Sequence, residues 1–425
     1  MERFRRRRDT TTALDHIHHP EIHLSYQVVN AIVQEYQTGR SPMPEFLQAN
    51  TSNLMVHLER IQSIDPHLAS GFEHQKTRQL WEVVGYILER YLIHFPQGEQ
   101  QEQVSSMLLR LTLPVNEQGE GLMDGPLMSM LGELHMHSRP DYLATLTEDQ
   151  KRRFTESDQL LEPILRQCLS RYTTEGDAVL QAWIDSAGVP VDVLASMRRI
   201  ERAQPGAITT LMQNFGVANY HRYPESVLIK QVERQPKPKP NYGIIMGARA
   251  DHNSALVGTK QAIEHLANQV ADDCDLVVVE FGTMSELNER LKVVGAQQPP
   301  TRQQAKFGLI MAHGNKDTIV GGRVRDGGDA YVTVADVGTI LRQARQQYFT
   351  PDATWIISAC ETGQPGGIGE VIADDLDITT IAPPFQAGVE EITVSRSESG
   401  AYDFRVRSRD QGLFDRVNRF PRKGV

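Results

Sequence analysis

From about residue 26 to residue 233 the apolar positions recur with a helical period. The clearest case is Leu80, Trp81, Val83, Val84, Ile87, Leu88, Tyr91 and Leu92, which follow the i, i+3, i+4, i+7 spacing and form one broad apolar stripe. Shorter stripes run over 160–169, 179–184 and 193–200, separated by Gly- or Pro-containing breaks such as Ser186-Ala187-Gly188-Val189-Pro190. This half predicts an all-α domain, and no fixed-period repeat marks it as a solenoid. At Gln235-Pro236-Lys237-Pro238-Lys239-Pro240, three alternate prolines forbid a helix and favour a stiff extended spacer. Beyond it the texture changes. Continuous apolar runs at 241–247, 275–280, 307–312, 354–359 and 379–382 alternate with helical stretches over 256–270, 285–294, 334–347 and 368–376, with Ser285 as the cap of the second stretch. Runs that are apolar throughout, rather than at every second position, predict strands of a mainly parallel sheet covered on both faces.

The chain thus reads as α+β overall. A flexible basic and His-rich tail (1–24) leads to a helical domain (25–234), a Pro-rich linker (235–240) and an α/β domain (241–425). At 425 residues two domains are the natural expectation. No uncharged apolar run is long enough for a membrane-spanning helix, and Arg5-Arg6-Arg7-Arg8 has no apolar segment behind it such as a Sec signal peptide needs. A cytoplasmic protein is expected, or one exported by a route that uses no signal peptide. The formal charge of −10 argues against nucleic-acid binding by the whole chain. Three cysteines, Cys168, Cys274 and Cys360, stand far apart with no CxxC, so neither a disulfide framework nor a cysteine zinc site is expected. His16, His18, His19 and His23 read as part of an irregular segment. Glu133, His135 and His137 lack a further ligand at recognisable spacing, and no metal is expected.

Candidate chemistry lies where two of the apolar runs end. Phe307-Gly308-Leu309-Ile310-Met311-Ala312 is followed by His313-Gly314, and Thr354-Trp355-Ile356-Ile357-Ser358-Ala359 by Cys360-Glu361-Thr362-Gly363. In an open parallel sheet the functional crevice lies beyond the carboxyl ends of the strands, so neighbouring strands would bring His313 and Cys360 together. A thiol needs a nearby base or a positive potential to become a nucleophile. His313 supplies the base, and the glycine-rich run after Cys360 leads into a helix whose amino end adds positive potential. The N–H groups of Gly314 and Cys360 are candidate oxyanion donors.

These motifs resemble the caspase-like peptidase superfamily (clan CD), in which one strand ends in His-Gly and the next in Ala-Cys or Ser-Cys. Met311-Ala312-His313-Gly314 and Ile357-Ser358-Ala359-Cys360 match that pattern over a region of about 241–403, and Cys360-Glu361-Thr362-Gly363 is most similar to the CHAT branch. The resemblance implies a cysteine endopeptidase working through a thioester, with Cys360 as nucleophile and His313 as general acid and base. It acts on a protein or peptide substrate, with self-processing at the linker as one form. Ser358, two residues before the cysteine, corresponds to a residue that shapes the substrate pocket in the family, and Arg249 to a pocket arginine. The family adds substrate as a strand beside the segment that here holds Ala382 and Pro383. Arg405, Arg407 and Arg409 alternate, so on a strand they share a face, with Arg416, Arg419, Arg422 and Lys423 beyond. This basic cluster resembles the inositol hexakisphosphate site that activates some toxin peptidases of the superfamily, although a solvated edge is the plainer expectation.

Two other functions use the same residues. A Cys-dependent isopeptidase or acyltransferase shares the acyl-enzyme, and an inert caspase-like scaffold would leave partner binding to the helical domain. The chain has neither GxxxxGK[ST] nor GxSxG, which sets aside P-loop nucleotide chemistry and α/β-hydrolase chemistry.

Overall fold

The helical period around Trp81 organises the first part of the chain. A computed structural model describes residues 20–39, 41–65, 75–113, 124–185, 193–233, 238–251, 255–302, 304–322, 330–386, 388–397, 401–410 and 413–422. By internal packing the chain divides into two compact units, Met1–Arg171 and Tyr172–Val425. The first unit contains α1 (Pro20–Thr38), α2 (Met43–Ile64), α3 (Gln75–His94), α4 (Gln101–Thr112), α5 (Asp124–His137), α6 (Pro140–Leu143) and α7 (Glu148–Leu169). Helix α3 carries the predicted stripe and packs against α1, α2, α4, α5 and α7, with Trp81, Val84, Ile87 and Leu88 fully buried. The expected flexible tail ends earlier than its predicted limit: α1 already begins at Pro20, and Ile22 in its first turn is buried. His16, His18 and His19 lie outside the described residues. His137 bonds Asp158 at 2.6 Å and stacks on Phe154, while Glu133 pairs with Arg90 at 2.8 Å, so these residues pin α5 to α7 and α3.

The second unit starts with α8 (Gly176–Asp185), α9 (Val193–Ala203), α10 (Ala207–Phe215), a 3-10 turn at Tyr220–Arg222 and α11 (Glu225–Val232). These precede the Pro-rich stretch yet pack with the sheet that follows it, which corrects the expected boundary at 235–240. Prolines stop a helix, but they do not stop the elements on either side from sharing one core. Gln231 of α11 makes the point: its amide donates to Val278 O at 2.9 Å and accepts from Val278 N at 2.8 Å, closing the open edge of a strand.

All five predicted strands are present. They are β1 (Asn241–Ala248), β2 (Cys274–Phe281), β3 (Ala305–Met311), β7 (Phe349–Ser358) and β8 (Thr379–Ala382). Between β3 and β7 come β4 (His313–Asn315), β5 (Thr318–Val320) and β6 (Tyr331–Thr333). After β8 come β9 (Val389–Arg396), β10 (Tyr402–Asp410), β11 (Leu413–Arg416) and β12 (Asn418–Phe420). The six-stranded sheet runs in the order β12-β8-β7-β3-β1-β2; β12 is antiparallel to β8, and the other pairs are parallel. The helices of this half are α12 (Lys260–Gln269), α13 (Met284–Gln297), α14 (Val337–Tyr348) and α15 (Ile368–Leu376). The cap of α13 is Thr283, whose hydroxyl accepts from Glu286 N at 3.2 Å, rather than the expected Ser285. The second, antiparallel sheet β11-β10-β9 sets Phe404 and Tyr402 against Phe307 of β3 at ring separations of 5.0 and 5.6 Å. Among the described residues no helix is long and apolar enough to cross a membrane.

Candidate active site

The register of the parallel sheet decides what its strand ends bring together. Glu280, Gly247, Met311 and Ser358 form one row across β2, β1, β3 and β7. Counting past that row, β1 leads to Asp251, β3 to His313 and β7 to Cys360. Three chemically active side chains therefore follow the carboxyl ends of three adjacent strands, spaced by roughly 4.8 Å per strand. Beyond β3 the chain turns into the antiparallel sheet β4-β5-β6, with His313 as the first residue of β4. Ala312 N donates to Ser358 O at 3.2 Å, which carries the β3–β7 pairing to the threshold of the site. Next comes Gly314, where a Cβ would sit 3.1 Å from both Ala359 Cβ and Thr362 Cγ2 and 2.8 Å from Thr318 O. Only glycine lets the histidine hairpin lie this close to the cysteine turn, so the two expected oxyanion donors, Gly314 and Cys360, belong to segments in direct contact.

Asp251 supplies what the motif reading missed. Its Oδ1 lies 3.0 Å from His313 Nε2, and its Oδ2 accepts from Leu256 N at 3.2 Å. The carboxyl is 1% exposed and the histidine side chain 13%. Burial alone would push the Asp251 carboxyl up. The bond to His313, the nearby Arg222 guanidinium and the Leu256 N–H outweigh burial and hold it below the usual carboxylate range. The bond from Nε2 to Asp251 fixes the orientation of the His313 ring at the carboxyl end of the sheet. The signal for Asp251 was in the chain: it follows the first parallel strand as His313 and Cys360 follow theirs. What was missing was the neighbour relation of β1 to β3.

Cys360 is half-buried in the turn after β7. The next residue, Glu361, has φ of 58°, in the left-handed region that non-glycine residues rarely occupy. Such a residue costs about 1–3 kcal/mol and persists only where its surroundings over-determine it. Here Glu361 N donates to Phe385 O at 2.9 Å, Gly363 N to Pro383 O at 2.8 Å and Thr362 Oγ1 to Ala359 O at 2.8 Å. Burial and the Glu361 carboxylate push the Cys360 thiol up, against the opposing effect of its own N–H. The expected electropositive helix end is committed elsewhere: at the start of α15, Ile368 N donates to Lys316 O at 2.7 Å and Gly369 N to Thr362 O at 2.9 Å. The resting thiol therefore keeps its proton until a base takes it.

The remaining expected substrate contacts fall outside this constellation. Ser358 is buried, and its hydroxyl accepts from Val389 N at 2.9 Å and meets Thr259 Oγ1 at 3.3 Å, so it fastens β9 to β7 rather than facing a pocket. Arg249 is paired with Glu286 of α13. Ala382 is buried, the edge of β8 that would receive an added strand is already paired with β12, and the Pro383 carbonyl is taken by Gly363. The basic cluster is largely spread over carboxylates: Arg419 on Asp403 at 2.6 Å, Arg422 on Asp377 at 3.2 Å and Arg407 on Glu391 at 3.6 Å. Lys423 and the side chains of Arg409 and Arg416 lie outside the described residues. A cavity of about 260 Å³, lined by Lys230, Lys239, Asn268, Asp275 and Arg302 among others, opens at the amino ends of β1 and β2, the far end of the sheet from Cys360.

Neither a known protein-family model nor a curated protein sequence matches this chain.

Proposed function

We propose that the chain is a caspase-like cysteine peptidase in which Asp251, His313 and Cys360 work as a triad. One observation carries the reading: the three residues follow the carboxyl ends of three neighbouring parallel strands, with buried Asp251 bonded to His313 at 3.0 Å. His313 takes the thiol proton as Cys360 Sγ attacks the carbonyl carbon of an extended protein or peptide substrate. The imidazolium that forms is balanced by Asp251, which also fixes the ring orientation. Backbone N–H groups of Gly314 and Cys360 receive the developing oxyanion. Collapse of the tetrahedral intermediate breaks the C–N bond, and His313 returns the proton to the departing amine. Water, deprotonated by His313, then hydrolyses the thioester and restores the thiol.

The test is labelling of the full-length protein by a fluorescent acyloxymethyl ketone. Labelling that disappears in Cys360→Ala and falls sharply in His313→Ala is expected. A folded native protein that stays unlabelled would favour the scaffold reading, and labelling that survives Cys360→Ala would remove Cys360 as the nucleophile.

A further inference from the structure

Arg222 belongs to the helical segment before the Pro-rich stretch, yet it reaches the candidate triad. Its side chain is 2% exposed. Nη1 donates to Ala248 O at 2.9 Å and to Arg249 O at 3.3 Å, and Nη2 to Arg249 O at 3.4 Å, so the fork grips the chain where it leaves β1. Nε lies 3.7 Å from Asp251 Oδ2, on the carboxylate that holds His313. The turn carrying Arg222 is itself clamped to the sheet. Glu280 Oε2 accepts from Ala218 N at 2.8 Å, Asn219 N at 3.2 Å and Asn219 Nδ2 at 3.1 Å, and Oε1 accepts from Tyr223 Oη at 2.9 Å. Gly247 makes room for this: a Cβ there would lie 2.0 Å from Tyr223 Oη.

We infer that Arg222 is a positioning residue for the proposed triad: it fixes the Asp251 carboxylate and the end of β1 beneath His313, so the segment 217–223 completes the catalytic machinery. This rests on the peptidase reading of Asp251, His313 and Cys360. An arginine that only tied off carbonyl groups would hold Ala248 and Arg249 and leave the charge state of Asp251 alone. Arg222, however, is a cation beside Asp251; among the described residues that carboxylate also faces His313 and the Leu256 N–H, and its charge is felt by His221 and the Tyr223 hydroxyl. His221, next in the chain, is pushed down to about 3 by burial and by Arg222, so it adds no positive charge in the working range.

The experiment is the pH dependence of iodoacetamide alkylation of Cys360 in the full-length protein, read by mass spectrometry at that residue. Native protein, His313→Ala, Arg222→Gln and Arg222→Lys are compared, with folding followed by circular dichroism. Loss of a cation raises the pKa of every group it faces, and across the Asp251–His313 bond its effect is attenuated, so in Arg222→Gln the limb of the rate is expected to move up by about 1 pH unit. Arg222→Lys keeps the charge and loses the fork, so its limb should stay near the native one while the plateau rate falls. A folded Arg222→Gln with the native limb and rate would overturn the inference and leave the triad standing. If His313→Ala leaves native alkylation unchanged, the peptidase reading fails and the inference falls with it. Should Arg222→Gln not fold, Arg222→Lys decides: a native plateau rate overturns the positioning role, and a reduced plateau on a native limb supports it.

Discussion

Replacing Asp251 by Asn changes one charge and almost no volume, at a place where both neighbours depend on that charge. His313 Nε2 bonds Asp251 at 3.0 Å in a site where the carboxyl is 1% exposed, so the bond is charge-assisted and poorly screened. Hydrogen bonds of this kind contribute about 1.5–3 kcal/mol. If that is lost where the imidazolium forms, the rate falls by about 10- to 150-fold. Stability changes as well, because Arg222, 2% exposed, loses the carboxylate 3.7 Å away. Breaking a buried pair costs about 3–5 kcal/mol, and with no hydrogen bond at that distance the lower end applies. The sign of the pH dependence follows from the depressed carboxyl. Its stabilising contribution is complete above the ordinary aspartate value of about 4 and is lost as pH falls through the lower folded value. The gap in Tm between native protein and Asp251→Asn should therefore be wide at neutral pH and close in acid. The assay is the second-order rate of acyl-probe labelling at pH 7 together with Tm across pH 3 to 7. A folded Asp251→Asn that labels within about twofold of native protein would refute the reasoning, since a lost charge-assisted bond predicts at least about tenfold.

Two further substitutions test the buried polar groups on either side of the expected boundary. Glu280→Ala removes the acceptor for Ala218 N–H, Asn219 N–H and the Tyr223 hydroxyl, all buried; at about 1–3 kcal/mol per stranded group the loss is on the order of 3–9 kcal/mol, and an unchanged urea midpoint would reject the clamp. In the first unit Glu89 is fully buried, and burial pushes its carboxyl to about 8 against the attraction of Arg90. The folded state therefore holds a proton that the unfolded chain has released, and stability falls as pH rises between about 5 and 8, by roughly 1.4 kcal/mol per pH unit. Glu89→Gln should flatten that decline in chemical denaturation, and a native profile with no slope over the range would contradict it.

Burial on both faces is why the parallel strands were legible. A strand covered by helices above and below is apolar throughout, and Phe307-Gly308-Leu309-Ile310-Met311 can hardly be read otherwise. The small sheet after His313 has strands of three residues each, too short for any periodicity to announce. Partners were harder to see than elements. Asp251 became visible only once β1 was known to lie beside β3, and that neighbour relation depends on how each crossover packs rather than on composition. Ser358 shows the opposite error. Two residues before Cys360 it suggested a pocket wall, but a serine in the buried row with Met311 has to satisfy its hydroxyl, and Val389 N provides the partner. The alternation of Arg405, Arg407 and Arg409 on a strand was readable, while the carboxylates that pair with the neighbouring arginines come from distant parts of the chain.

The Pro-rich stretch shows why composition and packing disagree. Prolines mark where backbone N–H groups are missing and helix is forbidden; they carry no information about which side chains are satisfied across the gap. Here the satisfaction runs across it repeatedly. Gln231 closes the β2 edge, Glu280 holds 218–223 and Arg222 holds the end of β1. A chain begun at Asn241 would leave the Glu280 carboxyl in an apolar row with no donors and the carbonyls of Ala248 and Arg249 without Arg222. Each is a desolvation cost of the kind that single domains avoid. The piece of this chain that packs as one is therefore the whole unit from Tyr172 onward, and the helices before the prolines belong to it as much as the strands after them.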